Sequence, residues 1–519
     1  MDVEKYSAKV AYRSISQIFL ALQSGHINVG LHMLGSHFSV ILLLLLGVTP
    51  LCAQNSRNTK IDGYRGIWFE LGQKSEFGDK YSGGLGTYTA KHVPLAIYRP
   101  EIDKTFFVYG GAPKAGKRQL LIMASEFDHK TGLVPKPTVV LDKSEELGKI
   151  VDDPHDNPSL SIDSDGYLWI FVSGRATVRQ DWTFKSRKPY STEAFDLVEK
   201  PSGIKRSYPQ ILHLPGSGFM HLFTVYEKGR RKLFFRTSQN GIEWAEEKRL
   251  ANMDGHYQTS AVSGNRIATM FNHHEGKVNE RTDIYYLETS DFGKTWTLAD
   301  GTPIELPVNS TESPSKVFNG VEADKLVYLN DLNFDTSGNP ILFYTTASNR
   351  SGKAHEPGPF AEPRRWVTSH WNGQKWNTRE MPPSATELST VSHNYDTGCL
   401  LVDGNTWRVI GPTGAPLASS DNNPKRFWGQ GGEIETWESI DQGIRWKKTK
   451  QTTKNSESNH GYVRRVWGGK NPFAVFWSDG NPEEIGPSHL YFGSSDGSKV
   501  WKLPYHMTKD VVKPVEVGQ

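Results

Sequence analysis

Thr289-Ser290-Asp291-Phe292-Gly293-Lys294-Thr295-Trp296 reads Ser/Thr-x-Asp-x-Gly-x-Thr-Trp. Ser439-Ile440-Asp441-Gln442-Gly443-Ile444-Arg445-Trp446 repeats it. Thr237-Ser238-Gln239-Asn240-Gly241-Ile242-Glu243-Trp244 is a weakened copy, with Gln239 at the Asp position. The three phrases start 52 and 150 positions apart, so the second gap is close to three times the first. A repeat of about fifty residues is the length of one β-propeller blade. Inside the phrase, the Gly permits a positive φ in a tight hairpin turn. The Asp carboxylate accepts from turn N–H groups, and the Trp anchors the hairpin between sheets. Asp291 and Asp441 therefore read as turn residues, and the phrase marks fold rather than chemistry.

Composition agrees with many short strands and frequent turns: 15 Trp, 20 Tyr, 49 Gly and only 36% hydrophobic residues. Apolar runs follow turn residues at Asp165-Gly166-Tyr167-Leu168-Trp169-Ile170-Phe171, Gly218-Phe219-Met220-His221-Leu222-Phe223 and Gly338-Asn339-Pro340-Ile341-Leu342-Phe343-Tyr344. Each has the look of an inner blade strand. Helical periodicity is scarce; 193–198 is the one stretch expected to make a turn or two of helix. No linker divides the chain, and 352–363 and 418–425 read as blade loops. The expectation is an all-β chain forming a single seven-bladed β-propeller, running from about residue 62 to about 504, with a short basic tail.

The N-terminal 53 residues are expected to be an extension and signal peptide, with the propeller domain in 54–519. Residues 38–48 form an apolar run, too short for a membrane span of about twenty residues. Thr49-Pro50-Leu51-Cys52-Ala53 follows as a cleavage site before Gln54. Met33 is the expected natural start, and a lipoprotein use of Cys52 fits the flanking residues poorly. Export to the periplasm or outside the cell follows. Cleavage leaves one cysteine, Cys399, so no internal disulfide can form. A net charge of +3 with no basic block argues against nucleic acid as a partner.

Three polar clusters carry possible chemistry. The first is the Gly-rich stretch 80–92, ending in His92. Asp152-Asp153-Pro154-His155-Asp156-Asn157-Pro158 is the second; its spacing matches no standard metal site, and neither a metal nor a cofactor is expected. Ser207-Tyr208-Pro209, His256-Tyr257-Gln258 and Asn272-His273-His274 follow. The third cluster is His393-Asn394-Tyr395-Asp396, Glu433, Glu435 and His460-Gly461-Tyr462-Val463-Arg464-Arg465. Each precedes or lies on an expected inner strand of a different blade, so a propeller would gather them near one axial mouth. There Asn157, Arg175, His256, Tyr257, Gln258, His273, His393, Asn394, Tyr395, His460, Tyr462, Arg464 and Arg465 would bind an anionic sugar. Arg pairs with carboxylate, and His or Tyr exchanges protons. Taken singly, each is as well explained as a satisfied structural residue.

Tyr64-Arg65-Gly66-Ile67-Trp68, the 80–92 stretch, His155-Asp156-Asn157-Pro158, Ser207-Tyr208-Pro209-Gln210, Gly255-His256-Tyr257-Gln258, Asp331-Leu332-Asn333-Phe334-Asp335 and His393-Asn394-Tyr395-Asp396 resemble the BNR-repeat (Asp-box, sialidase-like) propellers of bacterial polysaccharide utilisation. The resemblance spans nearly all of the chain after the leader. It is nearest to enzymes that process L-rhamnose α-1,4-linked to D-glucuronic acid, with ulvan lyases more distant. That group holds hydrolases and lyases on one scaffold, so a uronate-containing polysaccharide or oligosaccharide is the implied partner. In the hydrolases a single His, matching His92, is catalytic on the face opposite the usual pocket. In the lyases the pocket itself works, through a His matching His155 and a Tyr matching Tyr208. The second lyase His falls on Arg175 here, and the carboxylate-neutralising Arg falls on Val225.

The intact His92 and the altered lyase positions lead to a secreted glycoside hydrolase releasing terminal rhamnose as the expected function, through His92. A lyase acting through His155 and Tyr208 is the alternative. A non-catalytic sugar-binding propeller is the alternative from another class. A true sialidase would need an early Arg-Ile-Pro phrase, where this chain has Arg65-Gly66-Ile67.

Overall fold

The computed structural model describes residues 56–518 apart from 71–79, 82–83, 86–91, 200–202, 204, 254, 275–280, 349–363, 383–397, 415–430 and 482–484. Residues 56–519 form one compact unit. It is all-β, as the composition and turn pattern lead one to expect, and its helix consists of short pieces such as Lys143–Leu147 and the 3-10 turn Pro154–Asp156.

Seven antiparallel meanders follow one another among the described residues: four are four-stranded sheets, one is a six-stranded sheet, and two share a nine-stranded sheet. Their first strands are Ala96–Arg99, Pro158–Ile162, Ser207–Leu214, Gln258–Ser263, Lys325–Phe334, Cys399–Asp403 and Asn459–Lys470. Each first strand contacts the first strand of the next meander. The last runs parallel to the first, with Ile97 opposite Trp467. The apolar runs singled out in the sequence are second strands, Leu168–Val172, Gly218–Glu227 and Pro340–Ser348, and not the innermost. A second strand is paired on both edges and covered on both faces, so it reads as continuous apolar sequence; Leu168–Val172 and Phe473–Gly480 are buried at every position. Fully burying one Phe-sized side chain contributes roughly 1.5–3 kcal/mol. The first strands instead bury polar groups, among them Ser207, Gln210, Gln258 and Arg464.

Two local expectations are corrected. Residues 193–198, expected to make a turn or two of helix, instead lead into and form most of the strand Phe195–Glu199; Phe195 is fully buried, and its N–H bonds the Asn58 side chain. The basic tail, set after the propeller from about residue 504, joins the sheets instead. Val511–Val512 pairs with Val134–Pro135, and Val515–Val517 pairs with Val500–Lys502. Segments 352–363 and 418–425, expected to be blade loops, lie outside the described residues.

The repeated phrase forms the hairpin between third and fourth strands. Asp291 accepts the Thr295 N–H at 2.9 Å and the Thr295 hydroxyl at 2.7 Å, while Gly293 N–H donates to Thr289 Oγ1 at 2.8 Å. Asp441 does the same for Arg445 N–H at 2.9 Å, with Gly443 N–H on Ser439 Oγ at 2.8 Å. In the weakened copy the acceptor is Asn240, one residue beyond Gln239, taking the N–H groups of Ile242 and Glu243 at 2.9 Å. A further copy unseen in the sequence is Ser494-Ser495-Asp496-Gly497, where Asp496 accepts from Ser498. Gly293 has φ +81°, and a Cβ there would meet Phe235 of the preceding meander at 2.8 Å.

Candidate active site

The segments entering the first strands hold the candidate residues. Asp153 caps the 3-10 turn Pro154–Asp156. Its Oδ1 accepts the backbone N–H of His155 at 3.0 Å and the ring Nδ1–H at 2.5 Å. Its Oδ2 accepts from Arg175 Nε at 3.0 Å and Arg179 Nη2 at 2.8 Å. Asp156, fully buried, accepts from Arg179 Nε at 2.6 Å and pairs with Lys143 Nζ at 3.0 Å. Burial opposes ionisation of Asp153, but the hydrogen bond from the His155 ring and the charges of the two arginines outweigh it and hold its pKa well below the usual carboxylate range. Burial, reinforced by Arg175, pushes the His155 pKa down. The lowered pKa favours the neutral ring, and the Asp153 carboxylate beside Nδ1 favours the tautomer with its proton there and its lone pair on Nε2.

Tyr208 sits at φ +58° on the third meander's first strand. Its N–H donates to Ser173 Oγ at 3.0 Å, and its Oη lies 3.1 Å from Tyr226 Oη. Arg175 Nη1 reaches the same Tyr226 hydroxyl at 3.5 Å. The ring of Tyr208 packs against His155 at 6.0 Å and against His92 at 5.9 Å between centroids. The family resemblance separates these histidines onto opposite faces; here they meet on one ring and make a single cluster. His92 is buried, and neither ring nitrogen has a hydrogen-bond partner of normal geometry among the described residues. Burial drives its pKa far down, helped by His155 and Arg464 and only partly countered by the Asn157 backbone.

Other candidates divide between this cluster and structural duty. Asn157 is buried beside Gly110, where a Cβ would collide with its side-chain oxygen. Tyr257 packs on Tyr208 at 5.4 Å, under Arg231 at 4.3 Å and Arg281 at 5.1 Å. Arg464 donates to Leu85 O at 3.1 Å, and burial lowers its pKa to about 10. It lines, with His92 and Cys399, a cavity of about 20 Å³, room for about one water. Arg465 is tied to both oxygens of Asp331, at 3.2 and 3.3 Å. His256 bonds Asn272 O at 2.7 Å, and burial lowers its pKa to about 3; it and buried His273, 6.4 Å away, pack within the fourth meander. Gln258 accepts the Gln210 side-chain amide through its carbonyl at 2.6 Å. Tyr462 belongs to the largest apolar core. His460 lies apart, accepting Trp477 Nε1–H at 3.0 Å, in a cavity of about 300 Å³ lined also by Asp479, His489 and Tyr491. His393, Asn394 and Tyr395 lie outside the described residues.

Arg179, Lys143, Tyr226, Arg231 and Arg281 were not foreseen. For Arg179 a signal exists: it lies four residues after Arg175, and Arg175 and Arg179 pair across a tight turn. Lys143 carries none, since it looks like any lysine after a strand.

Residues 128–383 match the model of the BNR repeat-containing family. The ulvan lyase of Nonlabens ulvanivorans is 21% identical over 290 residues, covering 47% of this chain and 59% of its own length. That of Alteromonas sp. (strain LOR) is 20% identical over 264 residues, covering 43% and 52%. The chain thus spans less than two thirds of these curated relatives. A solved ulvan lyase bound to -[GlcA(1-4)Rha3S]- matches with a TM-score of 0.63 at 13% identity, over 84% of this chain and 96% of that one. Over residues 128–383 the chain carries the pattern of BNR repeat-containing proteins, with ulvan lyases among its relatives and a fold like theirs.

Proposed function

We propose that this protein is an exported polysaccharide lyase that breaks rhamnose–glucuronate linkages by β-elimination, on a seven-bladed propeller whose blades are the seven meanders. The observation that carries this reading is the geometry of His155, held by Asp153 through its Nδ1 and packed against Tyr208. His155 Nε2 takes the proton from C5 of the uronate. The C5–H electron pair becomes the C4=C5 double bond, the C4–O bond breaks, and Tyr208 protonates the leaving oxygen. The uronate carboxylate must be neutralised for the enolate-like state to form. Val225 cannot do this. Arg175, bound to Asp153 at 3.0 Å and 3.5 Å from the Tyr226 hydroxyl that Tyr208 also meets, is the cation we assign to it.

The hydrolase reading built on His92 gives way to this one. A glycosidase needs a proton donor, and a buried histidine with a strongly lowered pKa is unprotonated at neutral pH. His92 also lies outside the matched 128–383 segment, whereas His155, Arg175 and Tyr208 lie inside it. The test is incubation of the full chain and its variants with a rhamnose–glucuronate polymer, reading free rhamnose ends and the ultraviolet absorbance of an unsaturated uronate. The expected result is both signals for the native protein, a roughly 10²–10⁴-fold loss for His155→Ala and Tyr208→Phe, and retained elimination in His92→Gln. Rhamnose release without new absorbance, lost in His92→Gln, would overturn the lyase reading.

A further inference from the structure

Lys143 lies outside the cluster that the proposed reaction uses, yet it touches both supports of that cluster. It opens the short helix Lys143–Leu147 after the first meander, and its side chain is fully buried. The ammonium donates to Ser173 O at 2.6 Å and pairs with Asp156 Oδ2 at 3.0 Å, 4.7 Å from the Trp182 ring. Two arms leave it. One runs through Ser173, whose Oγ receives the Tyr208 N–H at 3.0 Å and so helps hold Tyr208 at its positive φ. The other runs through Asp156 to Arg179, which grips Asp156 with Nε and Asp153 with Nη2; Asp153 then fixes the His155 ring.

We infer that Lys143 is a positioning residue, a buried cation of the first meander that sets the geometry of His155 and Tyr208 together. A buried ammonium is costly unless paired and hydrogen-bonded, and here its hydrogen bond leads to Tyr208 and its ion pair leads to His155. This inference rests on the lyase reading for its kinetic consequence, but not for its structural one.

Lys143→Met, Arg179→Gln and Ser173→Ala in the full chain test it, with two readouts. Ring ¹⁵N shifts of His155 report its tautomer without any substrate, and steady-state elimination on the rhamnose–glucuronate polymer reports kcat and KM. Lys143→Met and Arg179→Gln should turn a single Nδ1–H tautomer into a mixture. Lys143→Met should lower kcat roughly 100-fold with KM within about twofold, and more than either single-arm variant. Lys143→Met that melts earlier yet keeps the tautomer and kcat would show a merely structural lysine and overturn the proposal. If Lys143→Met does not fold, Arg179→Gln decides, and an unchanged His155 tautomer there overturns it. A native chain that eliminates nothing sinks the lyase reading while the nitrogen shifts still decide the positioning role.

Discussion

Asp153 Oδ1 receives both the backbone N–H and the ring Nδ1–H of His155, two residues along the chain. The cap that starts the 3-10 turn is therefore also the group that aims the imidazole. Because Asp153 Oδ2 is held by Arg175 and Arg179, the carboxylate cannot rotate away without breaking two ion pairs. Local turn chemistry and the proposed proton transfer share one side chain.

Asp153→Asn should separate these duties. The amide keeps the size and can still cap the turn through its oxygen. Its NH₂ would then face the donors of Arg175 and Arg179, and a flipped amide would donate to His155 Nδ1 and stabilise the wrong tautomer. We expect kcat to fall roughly 10²–10⁴-fold, the range general base catalysis contributes, with the fold intact by circular dichroism. The native acid limb should lie below pH 6.5, because burial and Arg175 lower the His155 pKa. A native limb above that value would count against His155 as the base.

The all-β class was legible because turn chemistry is local: Asp291, Gly293 and Trp296 announce a hairpin whatever surrounds them. Asn240 was missed because the weakened copy is one residue shorter at its acceptor, which alignment on Gly241 hides. The histidines and Tyr208 were legible as site candidates through their recurrence ahead of first strands. Their meeting on one ring was not, since 92, 155 and 208 come together only when three meanders pack. Lys143, Arg179 and Arg281 were invisible for the same reason: a buried cation is defined by its partners, and those partners lie on other elements.

Buried neutral histidines set the direction of acid stability. Burial lowers the pKa of His92, His155 and His221, and brings His256 to about 3. In the unfolded chain each would titrate near 6.5. Between the folded and unfolded values the unfolded state binds more protons, so stability is fully present above about pH 6.5 and is lost as pH falls towards the folded pKa. His256 alone supplies a slope of roughly 1.4 kcal/mol per pH unit in that window. Melting temperatures should be level from pH 7.5 to about 6.5 and fall from there to pH 4, and His256→Asn should flatten the slope while lowering the neutral-pH value. A native melting temperature unchanged down to pH 4 would contradict the buried, neutral assignment.

The weakened repeat gives a prediction about the fold alone. Asn240 accepts two backbone N–H groups, whereas Gln239 is exposed beside it. Asn240→Ala should cost about 1–3 kcal/mol, one to two net hydrogen bonds, and Gln239→Ala should stay within about 0.5 kcal/mol. Gly241 has φ +75°, and a Cβ there would meet Trp169 of the preceding meander at 2.7 Å. Left-handed strain and overpacking together put Gly241→Ala at about 2–5 kcal/mol. Urea midpoints of the three variants check the order. The hairpin joins third and fourth strands, at the end of the meander opposite the start of its first strand, where Tyr208 sits. All three variants should therefore keep the native elimination rate while folded. A Gln239 variant less stable than the Asn240 variant would restore the sequence alignment that the hydrogen bonds displace.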